Sequence, residues 1–99
     1  MKPRGRPKKT RLVQGGPRIA QFSPRGRPGR PDEVELTVDQ FEAIRLADYK
    51  GLEQRQACKL MGISRPTFTR VLMAARKKVA DGLVNGKIIK IGGGEVRIG

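Results

Sequence analysis

The sequence predicts a mainly α fold, a small three-helix domain in which two helices meet at a tight corner. A flexible basic N-terminal arm precedes it and a short C-terminal β hairpin or tail follows. Three observations carry this expectation. Apolar residues recur at three- and four-residue spacing after Thr37 and again through residues 54–79. Gly62 and Ser64 stand between two such runs as a helix stop and a helix start. A chain of 99 residues has room for one small domain at most. The expected boundaries are 1–31 for the arm, 32–86 for the helical domain and 87–99 for the tail.

The arm contains the pentapeptide Pro-Arg-Gly-Arg-Pro twice, at Pro3 to Pro7 and at Pro24 to Pro28. Prolines hold the backbone extended, and the glycine between them lets it press close to a surface. Arginines so presented suit a narrow A-tract minor groove, where the negative potential is enhanced. The first copy, within KPRGRPKK, resembles an AT-hook and nominates Arg4, Gly5 and Arg6. A basic arm that touches phosphates without preference is the alternative. In the second copy Arg25 and Arg27 are the candidates, although Phe22 before it and Pro28 to Pro31 after it suggest a loop laid against the folded domain. Between the copies, Arg11 to Val13 and Arg18 to Phe22 have weak strand character around a Gly15-Gly16-Pro17 turn.

The first helix is expected to start at Thr37, where Thr37 and Gln40 have the spacing of a capping box, and to end near Gly51. Val38, Phe41, Ile44 and Ala47 or Asp48 follow at helical intervals. The next two helices read QRQACKLMGISRPTFTRVLMAARKK from Gln54 to Lys78, a helix-turn-helix pattern. Gly62 can close the first without a Cβ penalty, Ser64 can cap the second, and Pro66 falls in its first turn, where a missing N–H costs nothing. Phe68, Val71, Leu72, Ala75 and Val79 form the stripe expected to face the core. The opposite face centres on Pro66, Arg70, Met73 and Lys77 at about 100° per residue. Arg65, Thr67, Thr69 and Arg70 are the candidate base readers, since arginine can donate twice to guanine and threonine can offer a hydroxyl or a methyl. Arg76 and Lys77, further along, are expected over phosphates. Asn85-Gly86 marks the stop. Ile88, Ile89 and Ile91 then give a short β-rich run, and Glu95 to Ile98 could return as a second strand or trail as a loose tail.

The formal charge of +13 points to a polyanionic partner, and its distribution is more telling. Residues 1–31 carry +10, residues 32–53 carry −5 and residues 54–99 carry +8. Lys87 and Lys90 add to the basic field at the C-terminal end. Catalysis has little to work with: there is no histidine, and the only cysteine is Cys58, expected as a small buried apolar residue. Asp39, Glu42 and Asp48 could serve as acids or ligands, but early acids on a helix usually answer the macrodipole. No enzyme, cofactor or metal site is expected. The chain has no long apolar run and no signal-peptide core, so a soluble, cytoplasmic protein is expected.

The segment LTVDQFEAIRLADYKGLEQRQACKLMGISRPTFTRVLMAARKKVADGLVNGK, with Phe22, Pro24, Gly26 and Pro28 upstream, resembles domain-of-unknown-function family 134, small prokaryotic DNA-binding proteins. The resemblance implies a helix-turn-helix similar to region 4 of sigma factors, or a winged variant, with its second helix in the major groove. This chain has Glu53 where those relatives typically have serine, and Gln14, Gly15 and Gly16 where they often have cysteines. A sequence-specific DNA-binding regulator is the leading expectation. A non-specific nucleoid or RNA-binding protein is one alternative, and a sigma-like adaptor acting through the acidic helix from Asp39 to Asp48 is another. Double-stranded DNA is the expected partner, with a homodimer and a contact with RNA polymerase left open.

Overall fold

A computed structural model describes residues 10–26, 29 and 31–99. The first pentapeptide copy, with Arg4, Gly5 and Arg6, lies outside the described residues, as does Arg27 of the second. The described chain is a small mainly α domain of three helices and a few short strands.

The first helix, α1 (Val38–Ile44), begins where Thr37 holds an extended backbone and donates its N–H to Gln40 Oε1 at 3.0 Å. It runs on into a wider π-type turn, Arg45–Tyr49, closed by the Lys50 N–H on the Arg45 carbonyl at 2.8 Å. The second, α2 (Gln54–Met61), ends at Gly62 with φ 66°. There the Gly62 N–H reaches the Lys59 carbonyl and the Ile63 N–H reaches the Cys58 carbonyl, both at 3.1 Å, a Schellman closure. Ser64 then caps α3 (Arg65–Asn85), its hydroxyl accepting the Thr67 N–H at 3.3 Å. Gly86 repeats the left-handed stop at φ 62°.

The strands depart from expectation. The C-terminal segment forms neither of the alternatives expected of it, a hairpin or a loose tail. Instead β4 (Ile88–Ile91) is the centre of a three-stranded sheet, antiparallel to β2 (Gln21–Phe22) and parallel to β3 (Glu33–Leu36). The last strand, β5 (Val96–Ile98), pairs in parallel with β1 (Arg11–Val13). Gly92 to Gly94 explain the divergence: Gly93 and Gly94 have φ 78° and 95°, and the Gly93 carbonyl accepts the Val38 N–H at 3.1 Å. The loop is drawn onto the start of α1, which directs β5 away from β4. Strand pairing therefore crosses both expected boundaries, at 31 and at 86. From Arg11 onward the described part of the arm is woven into the fold.

Helix α3 packs on two clusters in succession. Its first half sets Phe68 and Leu72 among Ala43, Leu46, Ala57, Cys58 and Met61. Its middle sets Ala75 against Leu36 and Ile91, with Phe41, Val79 and Ile89 around them. Further along, Gly82 meets the sheet so closely that a Cβ there would lie 2.6 Å from Ile89 Cγ1. The expected core stripe of α3 is thus the buried one, and Phe68 is its largest fully buried member. A side chain of that size in such a place contributes about 3 to 5 kcal/mol relative to alanine.

Two carboxylates of α1 are buried, contrary to the expectation that they merely answer the helix dipole. Glu42 is 1% exposed. Its Oε1 accepts Arg45 Nε at 2.8 Å, and its Oε2 accepts Arg45 Nη2 and the Gln14 backbone N–H, each at 3.0 Å. Arg45 Nη2 also donates to Gln14 Oε1. The carboxylate raises the Arg45 pKa, chiefly through this hydrogen bonding. Asp39 Oδ2 accepts Arg11 Nη1 at 3.0 Å. Both acids thus fasten the segment that carries β1 onto α1. Glu42→Ala should cost about 2 to 3 kcal/mol, the scale for hydrogen bonds to a charged group. In hydrogen exchange the Gln14 amide should lose more protection than amides of α2, and equal loss at both places would make Glu42 a general packing residue.

Candidate nucleic-acid interface

The corner between α2 and α3 brings two helix starts to one side of the molecule. Between them lies an open, polar cleft of about 560 Å³ lined by Glu53, Gln54, Arg55 and Arg65. Arg65, Pro66, Arg70, Met73 and Lys77 are exposed along α3, while Phe68 and Leu72 are buried behind them. The outward face read from helical spacing is therefore the solvent face. Among the described residues neither Arg65 nor Arg70 has a carboxylate partner.

Local hydrogen bonds order this face. The Ser64 hydroxyl donates to Thr67 Oγ1 at 2.9 Å, and Arg70 Nη2 donates to the same oxygen at 3.3 Å. Thr67 is thereby held by its acceptor side, with its own proton left to donate. Thr69 is placed differently. Its hydroxyl lies 2.7 Å from Gln54 Oε1 and 3.0 Å from the Arg65 carbonyl, so it turns toward α2. The sequence nominated Thr69 as a reader, and its side chain instead bridges the two helices. Gln54 was not nominated, and a spacing of 15 residues from Thr69 gave no local signal of the contact.

The remaining nominated residues are spread out. Arg76 forks Asp48, with Nε at 3.1 Å and Nη2 at 2.6 Å from its two oxygens. The Asp48 carboxyl is held below its ordinary value of 3.8, mainly by this hydrogen bond, and Arg76 is raised in turn. Because the folded pKa is the lower one, the pair's contribution is complete above pH 3.8 and is lost as pH falls through the folded value. At neutral pH the guanidinium is therefore engaged within the protein. Lys77 is exposed one residue further on. Arg25 is exposed, but it follows Phe22, Ser23 and Pro24, which face Gly82, Leu83, Gly86 and Lys87 across a shallow cleft. That is the far end of a 21-residue helix, on the order of 30 Å from Arg65 at 1.5 Å per residue. Lys87 and Lys90 add less to the basic field than their number suggests, since they pair with Asp81 at 2.9 Å and Glu33 at 3.2 Å.

If Arg76 lies within reach of a duplex, Asp48→Ala should free it for phosphate. Affinity for mixed-sequence DNA should then rise, and the slope of log K against log salt should steepen by about 1. A titration across salt concentrations measures this, and an unchanged slope would put Arg76 away from the nucleic acid.

Over residues 1–99 the chain matches a family described as Protein of unknown function DUF134. It is 51% identical over 94 residues to a UPF0251 protein of Thermoanaerobacter pseudethanolicus, covering 94% of this chain and 80% of that one. A UPF0251 protein of Methanococcus maripaludis is 48% identical over 96 residues, covering 96% of this chain and 74% of that one. One from Desulfosudis oleivorans is 54% identical over 90 residues, covering 90% and 65%. No solved structure matches the chain. With a match along its whole length and relatives near half identity, the chain belongs to the uncharacterised family DUF134.

Proposed function

We propose that this protein is a sequence-specific DNA-binding regulator of the helix-turn-helix type, with α3 entering the major groove by its N-terminal half. The observation that carries this is the outward face at the corner. Arg65 and Arg70 stand exposed there, among the described residues without carboxylate partners, with Thr67 fixed beside them, on a helix whose other side is anchored through Phe68 and Leu72. A rigid backing matters because base readout needs donors held in register, whereas phosphate attraction needs only charge. The arm, with Arg4, Gly5 and Arg6 in its first pentapeptide and Arg25 and Arg27 in its second, adds minor-groove or phosphate contacts in this reading. The protein then acts in the cytoplasm as a binding protein and not as an enzyme. Among the described residues no helix is long and apolar enough to cross a membrane.

Burial bears on the competing readings. An adaptor working through the acidic helix would need its carboxylates outside, but Asp39 and Glu42 are 5% and 1% exposed and Asp48 is held by Arg76. Charge-driven binding to nucleoid DNA or to RNA is the reading to be separated by experiment. Selection from a random duplex library should recover one enriched motif, and a palindromic motif would indicate a homodimer. On that motif Arg70→Ala should lose about 1 to 3 kcal/mol and relax the preference at one position. Uniform recovery with a steep salt slope would leave charge alone as the determinant.

A further inference from the structure

Resting on the DNA-binding reading above, we propose that Gln54 is a further specificity-determining residue and that Thr69 is its positioning residue. Gln54 is the first residue of α2 and lines the cleft together with Arg55 and Arg65. It is half-buried, and its Oε1 lies 2.7 Å from the Thr69 hydroxyl one turn into α3. A glutamine side chain on a surface ordinarily samples several rotamers, at a cost in entropy when it is finally fixed. Here the contact across the helix pair fixes it before any ligand arrives.

The clamp also decides what Gln54 presents. The Thr69 hydroxyl has one proton for two acceptors, Gln54 Oε1 and the Arg65 carbonyl; given to the nearer Oε1, it leaves Nε2 and its two N–H donors as the free end of the amide. Arg65 provides positive charge in the same cleft, while Arg55 there is paired with Glu53 at 3.9 Å. Two fixed donors suit an edge that offers acceptors, such as guanine O6 and N7 or thymine O4 in the major groove. Cytosine offers only its amino group there and would meet donor with donor, while adenine sets a single acceptor, N7, beside its amino group and is the weaker match for two donors. Gln54 therefore discriminates between base edges at one position, while Thr69, turned inward, touches no base itself.

The test is selection from a random duplex library with the full chain and four variants. Gln54→Ala and Thr69→Val should flatten the same single position of the motif, lowering its preference roughly two- to tenfold, the scale of one net hydrogen bond. Thr69→Ser keeps the hydroxyl and should retain the preference. Gln54→Glu replaces donors with acceptors and should move that position toward adenine or cytosine. An unchanged motif with Gln54→Ala overturns the proposal, as does an equal loss on every sequence, which would make Gln54 a phosphate contact. A motif with the unsubstituted chain that Arg70→Ala disturbs and Gln54→Ala does not would sink this inference alone. Failure of the unsubstituted chain to select any motif would remove the DNA-reading proposal with it.

Discussion

The left-handed turn at Gly62 governs the direction in which α3 leaves the rest of the chain. Its φ of 66° lets two backbone N–H groups return to the last turn of α2, and Ile63 is thereby brought onto the same core cluster as Cys58. Ser64 follows at once as the next cap, so three residues separate two helices. With that angle Phe68 and Leu72 meet Met61, Ala57 and Leu46 on one side while Arg65 and Arg70 remain outside on the other. A residue with a Cβ at position 62 would be strained by the backbone itself, whatever space surrounds it. The nearest atoms to such a Cβ belong to Leu12 of β1 at 3.6 Å, so the corner also seats the first strand.

The ends of the chain hold this arrangement in place from behind. Strands β3 and β4 lie side by side in parallel although all three helices come between them, and β1 and β5 join the two termini of the described fold. Glu42 and Asp39 complete the closure by reaching Gln14 and Arg11. Buried ion pairs are weak sources of net stability, because desolvation offsets much of their attraction. Their use here is directional. A carboxylate that must satisfy both an arginine fork and a backbone N–H admits one path for the chain that passes it. Helix α3 is held at its far end by Gly82 on Ile89 and Val34, and Arg65, Pro66 and Arg70 in its first half are exposed.

Local devices were the part of this fold legible in the sequence. The caps at Thr37 and Ser64, the glycine stops at Gly62 and Gly86, and the stripe from Phe68 to Val79 each depend on residues within a few positions of one another, so periodicity and turn chemistry reach them. Strand β3 was missed although Glu33, Val34, Glu35 and Leu36 alternate out and in, because its partner β4 is more than fifty residues away and a parallel pair leaves no turn to read. Of the two strands foreseen around Gly15 and Gly16, Arg11 to Val13 exists in full and Arg18 to Phe22 only as Gln21–Phe22, and each pairs with a distant segment and not with the other. Asp39 and Glu42 were misread for the same reason: 28 residues separate each from the arm segment that compensates its burial. At the candidate interface, the outward placement of Arg65 and Arg70 was legible from helical spacing. The inward turn of Thr69 and the capture of Arg76 by Asp48 were not, since both depend on how one helix lies against another.

The central claim is that the corner face of α2 and α3 meets DNA as a unit. Backbone amide chemical shifts of the full chain, followed by NMR while a short duplex is added, test it most directly. The largest changes are expected at Gln54 and Arg55 and from Ser64 to Arg70, with Leu83 to Ile91 at the opposite end of α3 nearly still. Changes concentrated at that opposite end, or spread evenly over every basic surface, would contradict it.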